Sequence, residues 1–145
     1  MTRDEFLSGM HARGATIAPP AASQTQITIA NALLQNMDAA MIPSAIFDLY
    51  TTTGGIYMGS GYIMGPNEIA RGILFPVPSI VEMNKNMSHV PGMRGKTIFG
   101  RNDLFLFAFD AFGVYYMMDN TTLRVLRKYD DAYRAMTDCL MAGKL

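Results

Sequence analysis

The spacing of apolar positions changes partway along this chain. Before Lys96 most of them recur at helical intervals, and from Lys96 onward they alternate or run on continuously, as strand positions do. Residues 2–13 predict a first helix, with Phe6, Leu7 and Met10 on one side and Thr2 as its cap. The stretch "ATIAPPAAS" breaks it, because paired prolines remove donors and hold the backbone extended. Ser23 with Gln26 forms a capping-box pattern opening a second helix over 24–37, whose stripe is Ile27, Ala30, Leu34 and Met37. "IPSAIFDLYTTTGG" predicts a short helix begun at Pro43, burying Ile46, Phe47, Leu49 and Tyr50 and stopped at Gly54-Gly55.

"GIYMGSGYIMG" reads as two short strands around a glycine-rich bend, "PNEIA" as one helical turn opened by Pro66, and "LFPVPS" as extended chain. Ser79 with Glu82 opens another helix, "IVEMNKNM", ahead of the loop "SHVPGMRG". Four strands follow: "KTIFGR", "LFLFAFD", "GVYYMMD" and "TLRVLRKY". Their joints are short and rich in turn formers, which favours an antiparallel meander. Asp130 is the expected cap of a last helix that turns Tyr133, Met136 and Leu140 inward.

In "LFLFAFD", Phe105, Phe107 and Phe109 point one way and Leu104, Leu106 and Ala108 the other, so both faces are apolar. A strand of that kind belongs in the middle of a sheet covered on both sides. Asp110 and Asp119 then fall at strand ends, where a carboxylate serves turn amides. The fold class that follows is α+β, a mainly antiparallel twisted sheet with helices packed around it. At 145 residues the chain makes one domain, with 1–22 an N-terminal helix and proline-rich link and 23–145 the main body.

Charge adds little direction. Lys+Arg and Asp+Glu both number 12, so bulk electrostatics compels neither nucleic acid nor anionic membrane as partner. The apolar runs fall far short of a bilayer span, and the acidic opening "MTRDEFLSGM" differs from a signal peptide. With a single cysteine, Cys139, the expectation is a soluble protein of the cytoplasm. Thirteen methionines and no tryptophan are unusual, and core filling accounts for most of them.

Sites of chemistry are sparse. His11, His89 and Cys139 stand apart in the sequence, so neither a metal nor a cofactor is expected. "GMRGKT" ends like a phosphate-binding loop, but Val90 occupies the place of its first glycine and a strand follows. "GSGYIMG" has one residue too many before Gly65 for the dinucleotide fingerprint. Ser88 and His89 are adjacent, and adjacent side chains diverge, so they do not form a nucleophile and base. Turn and cap duties account for Asp103, Asp110, Asp130 and Asp131. Arg124, Arg127 and Lys128 make a small basic cluster, read either as a solvated edge that resists strand addition or as an acidic-partner contact.

"IPSAIFDLYTTTGG", "GPNEI", "IFGRNDLFLFAFD", "GVYYM" and "YDDAYRAMTDCL", in that order, resemble the SUKH superfamily over residues 40–142. That group includes yeast regulators of cell-wall synthesis and many bacterial immunity proteins encoded beside secreted toxins. Ile42-Pro43, Gly54-Gly55, Arg101-Asn102-Asp103, Asp110, Gly113-Val114-Tyr115 and Tyr129 occupy family positions, whereas Thr53 stands where an asparagine is usual. The resemblance implies an α+β binding domain without enzymatic activity, in its most specific form an immunity protein that occludes a toxin encoded nearby. Immunity members that face nucleases are often acidic, and this chain is neutral. Tyr57, Tyr62, Arg94, Arg101 and Tyr115 are the candidate partner contacts, as aromatic or arginine anchors near the bend and loops. A cytoplasmic adaptor of a cellular protein and a small-molecule sensor stay open as other functions, and monomer and homodimer as assembly states.

Overall fold

The computed structural model describes residues 1–20 and 23–144. Its frame is a seven-stranded antiparallel sheet in the order β1-β2-β3-β6-β7-β8-β9. The strands are β1 (Thr16–Ala18), β2 (Gly55–Met58), β3 (Gly61–Ile63), β6 (Lys96–Arg101), β7 (Phe105–Asp110), β8 (Tyr115–Asp119) and β9 (Val125–Tyr129). A separate two-stranded hairpin joins β4 (Ile69–Arg71) to β5 (Leu74–Val77). Helices α1 (Arg3–Ala12), α2 (Gln24–Asn36), α3 (Ser44–Tyr50), α4 (Ile80–Asn84) and α5 (Ala132–Lys144) pack around the sheet, so the α+β class stands.

Helix starts follow the expected caps. The Thr2 hydroxyl accepts from Glu5 N, and Ser23 and Gln26 close a reciprocal capping box. Ser79 Oγ accepts from Glu82 N, but α4 stops at Asn84, and a 3₁₀ turn, Met87–His89, takes up part of the helix expected there. Asp131, rather than Asp130, serves the first turn of α5: its Oδ1 accepts from Tyr133 N at 2.9 Å. "PNEIA" is a bend leading into β4 and not a helical turn. The expected N-terminal link contains β1, which pairs with β2 from Thr16↔Tyr57 to Ala18↔Gly55 and so joins the main sheet. Ala21 and Ala22 of that link lie outside the described residues.

The pairing register sorts side chains onto two faces. Ile56, Ile63, Gly100, Phe107 and Met117 share one face, and Tyr57, Tyr62, Arg101, Leu106 and Met118 the other. Helix α5 lies on the first face, close enough that a Cβ on Gly100 would stand 3.2 Å from Cys139 Sγ and one on Gly61 would stand 2.8 Å from the Cys139 carbonyl oxygen. β7 is the strand buried on both sides: Leu106, Phe107, Ala108 and Phe109 are all buried. Each fully buried phenylalanine there contributes about 1.5–3 kcal/mol relative to an exposed one. Leu104 departs from the expected pattern, because it precedes the strand and is exposed.

Phe99 is the extra residue of a bulge, since Ile98 faces Ala108 while Gly100 faces Phe107. The bulge turns its ring onto Phe109, centroids 5.8 Å apart, with Tyr115 edge-on at 5.9 Å. Where β3 ends, Asn84 of α4 continues the ladder of β6: its Oδ1 accepts from Ile98 N at 2.7 Å and its Nδ2 donates to Ile98 O at 2.8 Å.

Candidate protein-binding surface

A patch of cations, tyrosines and exposed aliphatic side chains forms where the β4–β5 hairpin folds over the sheet. Tyr57 and Tyr62 are direct cross-strand neighbours, and Tyr62 is opposite Arg101 on β6, so the three share the face away from α5. Arg71, on β4, sets its guanidinium over both rings, 5.8 Å from the Tyr57 centroid and 5.5 Å from that of Tyr62. At partly exposed positions such contacts contribute about 0.5–1 kcal/mol each. The Arg71 Nε donates to Phe75 O at 2.8 Å, which staples β4 to β5 while the charge rests on the tyrosine shelf. Partial burial raises the Tyr62 phenol above its ordinary pKa, against the lowering effect of the Arg101 and Arg71 charges. The Tyr62 phenol therefore stays a neutral donor at physiological pH.

The hairpin is anchored at its base and bare at its tip. Val77 is fully buried opposite half-buried Ile69. Gly72, with φ +63°, makes the reversal. Past it, Ile73, Leu74 and Phe75 are exposed to 104%, 62% and 88% of their full area. Scattered exposed apolar residues are ordinary, whereas three in succession at one hairpin tip make a contiguous bare apolar patch. Pro76 follows within β5, and lacking an N–H it makes that strand a poor template for further pairing. The tip is thus suited to side-chain contacts.

The expected contacts divide three ways. Tyr57, Tyr62 and Arg101 come together under the hairpin. Arg94 lies elsewhere, exposed on the loop before β6, with Nη2 3.9 Å from Asp38 Oδ2. Tyr115 is only 5% exposed and sits in the ring cluster with Phe99 and Phe109 on the opposite face; burial pushes its phenol up to about 12. It is a core residue in this structure. Arg71, Ile73, Leu74 and Phe75 were missing from the sequence reading. The signal was present in "RGILFP", where a glycine turn carries apolar residues in place of the usual polar ones.

An open cleft of about 460 Å³ lies at the end of the central ribbon, between residues 39–43 and the turn 110–113. Asp110 borders this cleft with its carboxylate already engaged. Oδ1 accepts from Phe112 N and Val114 N at 2.8 and 3.1 Å, and Oδ2 accepts from Tyr116 Oη at 2.5 Å. Burial would raise the Asp110 pKa, but these hydrogen bonds and the Lys96 charge outweigh it and hold the carboxyl below its ordinary range. That is the chemistry of a turn brace, not of a general base. His89 is exposed in the 3₁₀ turn and lines none of the clefts described. No helix among the described residues is long and apolar enough to cross a membrane. No protein-family model, curated protein or solved structure matches this chain.

Proposed function

We propose that this chain is a protein-binding domain without catalytic activity, which acts by covering the working surface of a partner protein. The observation that supports this most directly is the bare Ile73-Leu74-Phe75 tip on a hairpin whose base is buried and stapled. A few buried aromatic or arginine anchors supply most of the energy of such interfaces, with near-neutral contacts excluding water around them. Here Phe75 and its neighbours are the apolar anchor, and Tyr57, Tyr62, Arg71 and Arg101 are the polar shoulder beside it. The resemblance to SUKH immunity proteins makes a toxin encoded beside this gene the first partner to test.

The experiment is co-expression with the adjacent reading frame in a growth assay, together with calorimetric titration of the two purified proteins. Wild-type chain is expected to restore growth. The double variant Ile73→Asp, Phe75→Asp is expected to keep its melting temperature and to weaken binding by about 30-fold or more, the size of a hot-spot loss. A neighbour that neither poisons the cell nor binds this chain would remove the immunity role. Neutralisation untouched by the double variant would move the interface off the hairpin.

A further inference from the structure

We propose that the outer edge of β9 receives an acidic, extended segment of a protein partner as an eighth strand. The seven-stranded sheet has two ends. At one, β1 is three residues long and runs into Pro19-Pro20, which blunts it. At the other, β9 offers five residues whose outward row of backbone donors and acceptors has no strand partner among the described residues. Free edges of this kind take up peptides through main-chain hydrogen bonds, and side chains at alternate positions set the specificity.

The charges around this edge select the occupant. From Asn120 to Tyr129 the chain carries Arg124, Arg127 and Lys128 and no acid. A cleft of about 400 Å³ at the end of the strand is lined by Arg127, Lys128 and Arg134, the last brought in from α5, with Asp130 as the single carboxylate lining it. Arg127 is held in place, its Nη1 3.0 Å from Asp138 Oδ2 and its guanidinium 4.9 Å from the Tyr129 ring centroid. Lys128 and Arg134 are exposed, and no described carboxylate lies within ion-pair distance of either. A second copy of the chain is a poor occupant, because pairing antiparallel about the middle of β9 sets Arg127 against Arg127. An acidic strand meets the opposite situation, since oppositely charged cross-strand neighbours stabilise and like ones repel. This surface is separate from the hairpin, and the inference does not rest on the function proposed above.

The probe is a fluorescent peptide of about eight residues alternating glutamate with valine or threonine, a length that spans a typical strand. Its titration into the intact protein is followed by polarisation at low and at physiological salt. Expected is saturable binding that weakens with salt, is absent for the matching lysine peptide, and falls about tenfold or more when alternate peptide amides are N-methylated to remove their donors. The double variant Lys128→Glu, Arg134→Glu is expected to lose binding at unchanged melting temperature. If that variant fails to fold, the N-methylated peptide on wild-type protein decides the matter alone. Equal binding of the N-methylated peptide, absence of binding at millimolar peptide, or light scattering that shows β9-paired dimers would each overturn the proposal.

Discussion

Single side chains in this molecule substitute for missing backbone partners. Asn84 is the strongest case: fully engaged and buried, it meets both polar groups of Ile98 and also donates to Ile80 O at 2.8 Å. Asn84→Ala strands the Ile98 amide away from water, and chemical denaturation should show a loss of about 1–3 kcal/mol, the usual penalty for a buried unpaired group. Asn84→Asp should not rescue it, because the carboxylate cannot donate to the two carbonyls. Thr53, just after α3, works in the same way. Its hydroxyl lies 2.5 Å from Ala18 O and accepts from Gly55 N at 3.2 Å, so it ties the end of α3 to β1 and β2 with a smaller group. Asp110 braces its turn with an ionised carboxylate, which gives stability a pH dependence of known sign. A depressed folded pKa means the contribution is complete above the ordinary carboxylate range and disappears as pH falls through the folded value. Asp110→Asn should therefore cost about 1–2 kcal/mol near neutral pH, where Tyr116 Oη loses its charged acceptor. That difference should shrink below about pH 4 as the wild-type carboxyl is itself protonated. Urea titrations of both proteins across this range check it, and a gap that stays constant into acid would show that the charge plays no part.

Elements were legible in the sequence where local pattern and local chemistry agree. The capping residues of α1, α2 and α4, the two-faced strand β7 and the meander from Lys96 to Tyr129 were all readable, because each depends on neighbours within a few positions. What escaped depends on partners far along the chain. β1 is only three residues long and becomes a strand because β2 lies beside it; nothing in "TIAPP" distinguishes it from a linker. β4 follows a proline that suggests a helical turn, yet Ile69 is held extended by its pairing with Val77. The tyrosine shelf was half legible: Tyr57, Tyr62 and Arg101 were candidate contacts from the sequence and lie side by side, but Arg71 joins them only through the fold-over of β4 and β5. Gly65 shows how completely a long-range approach can stay hidden. It reads as a flexible end to a glycine-rich bend, whereas a Cβ there would collide with the carbonyl of Gly54, and its own carbonyl accepts from Ile80 N at 2.8 Å. Gly65→Ala forces the α3–β2 corner and the β3–β4 link apart. Its cost should exceed about 3 kcal/mol, visible as a melt far below that of wild type or as insoluble expression.

At the scale of the molecule, rigidity and exposure are distributed unevenly, and this separates the sheet core from the β4–β5 hairpin. The core is continuous through β6, β7, β8 and α5, where Phe99, Phe107, Phe109, Met136 and Leu140 are all fully buried. The β4–β5 hairpin stands outside that sheet, is held at its base by Val77 and Ile69, and reaches the tyrosine shelf through Arg71. A two-stranded ribbon of this kind is marginal by itself and opens without the rest of the fold. Native-state hydrogen exchange should therefore show two tiers: amides of Ile98 and Phe107 exchanging only through global unfolding, and amides of Arg71 and Leu74 through a local opening several kcal/mol easier. Arg71→Ala removes both the staple to Phe75 O and the cation over the two rings, so it should lower hairpin protection further while leaving β6–β8 unchanged. If the hairpin is where a partner binds, complex formation should raise its protection toward the core tier, because the opened form cannot hold the partner. Equal protection of hairpin and sheet in the free protein would mean that the hairpin is fixed by contacts stronger than those described. Protection that stays low in a tight complex would place that partner on another face, with the β9 edge the first to probe.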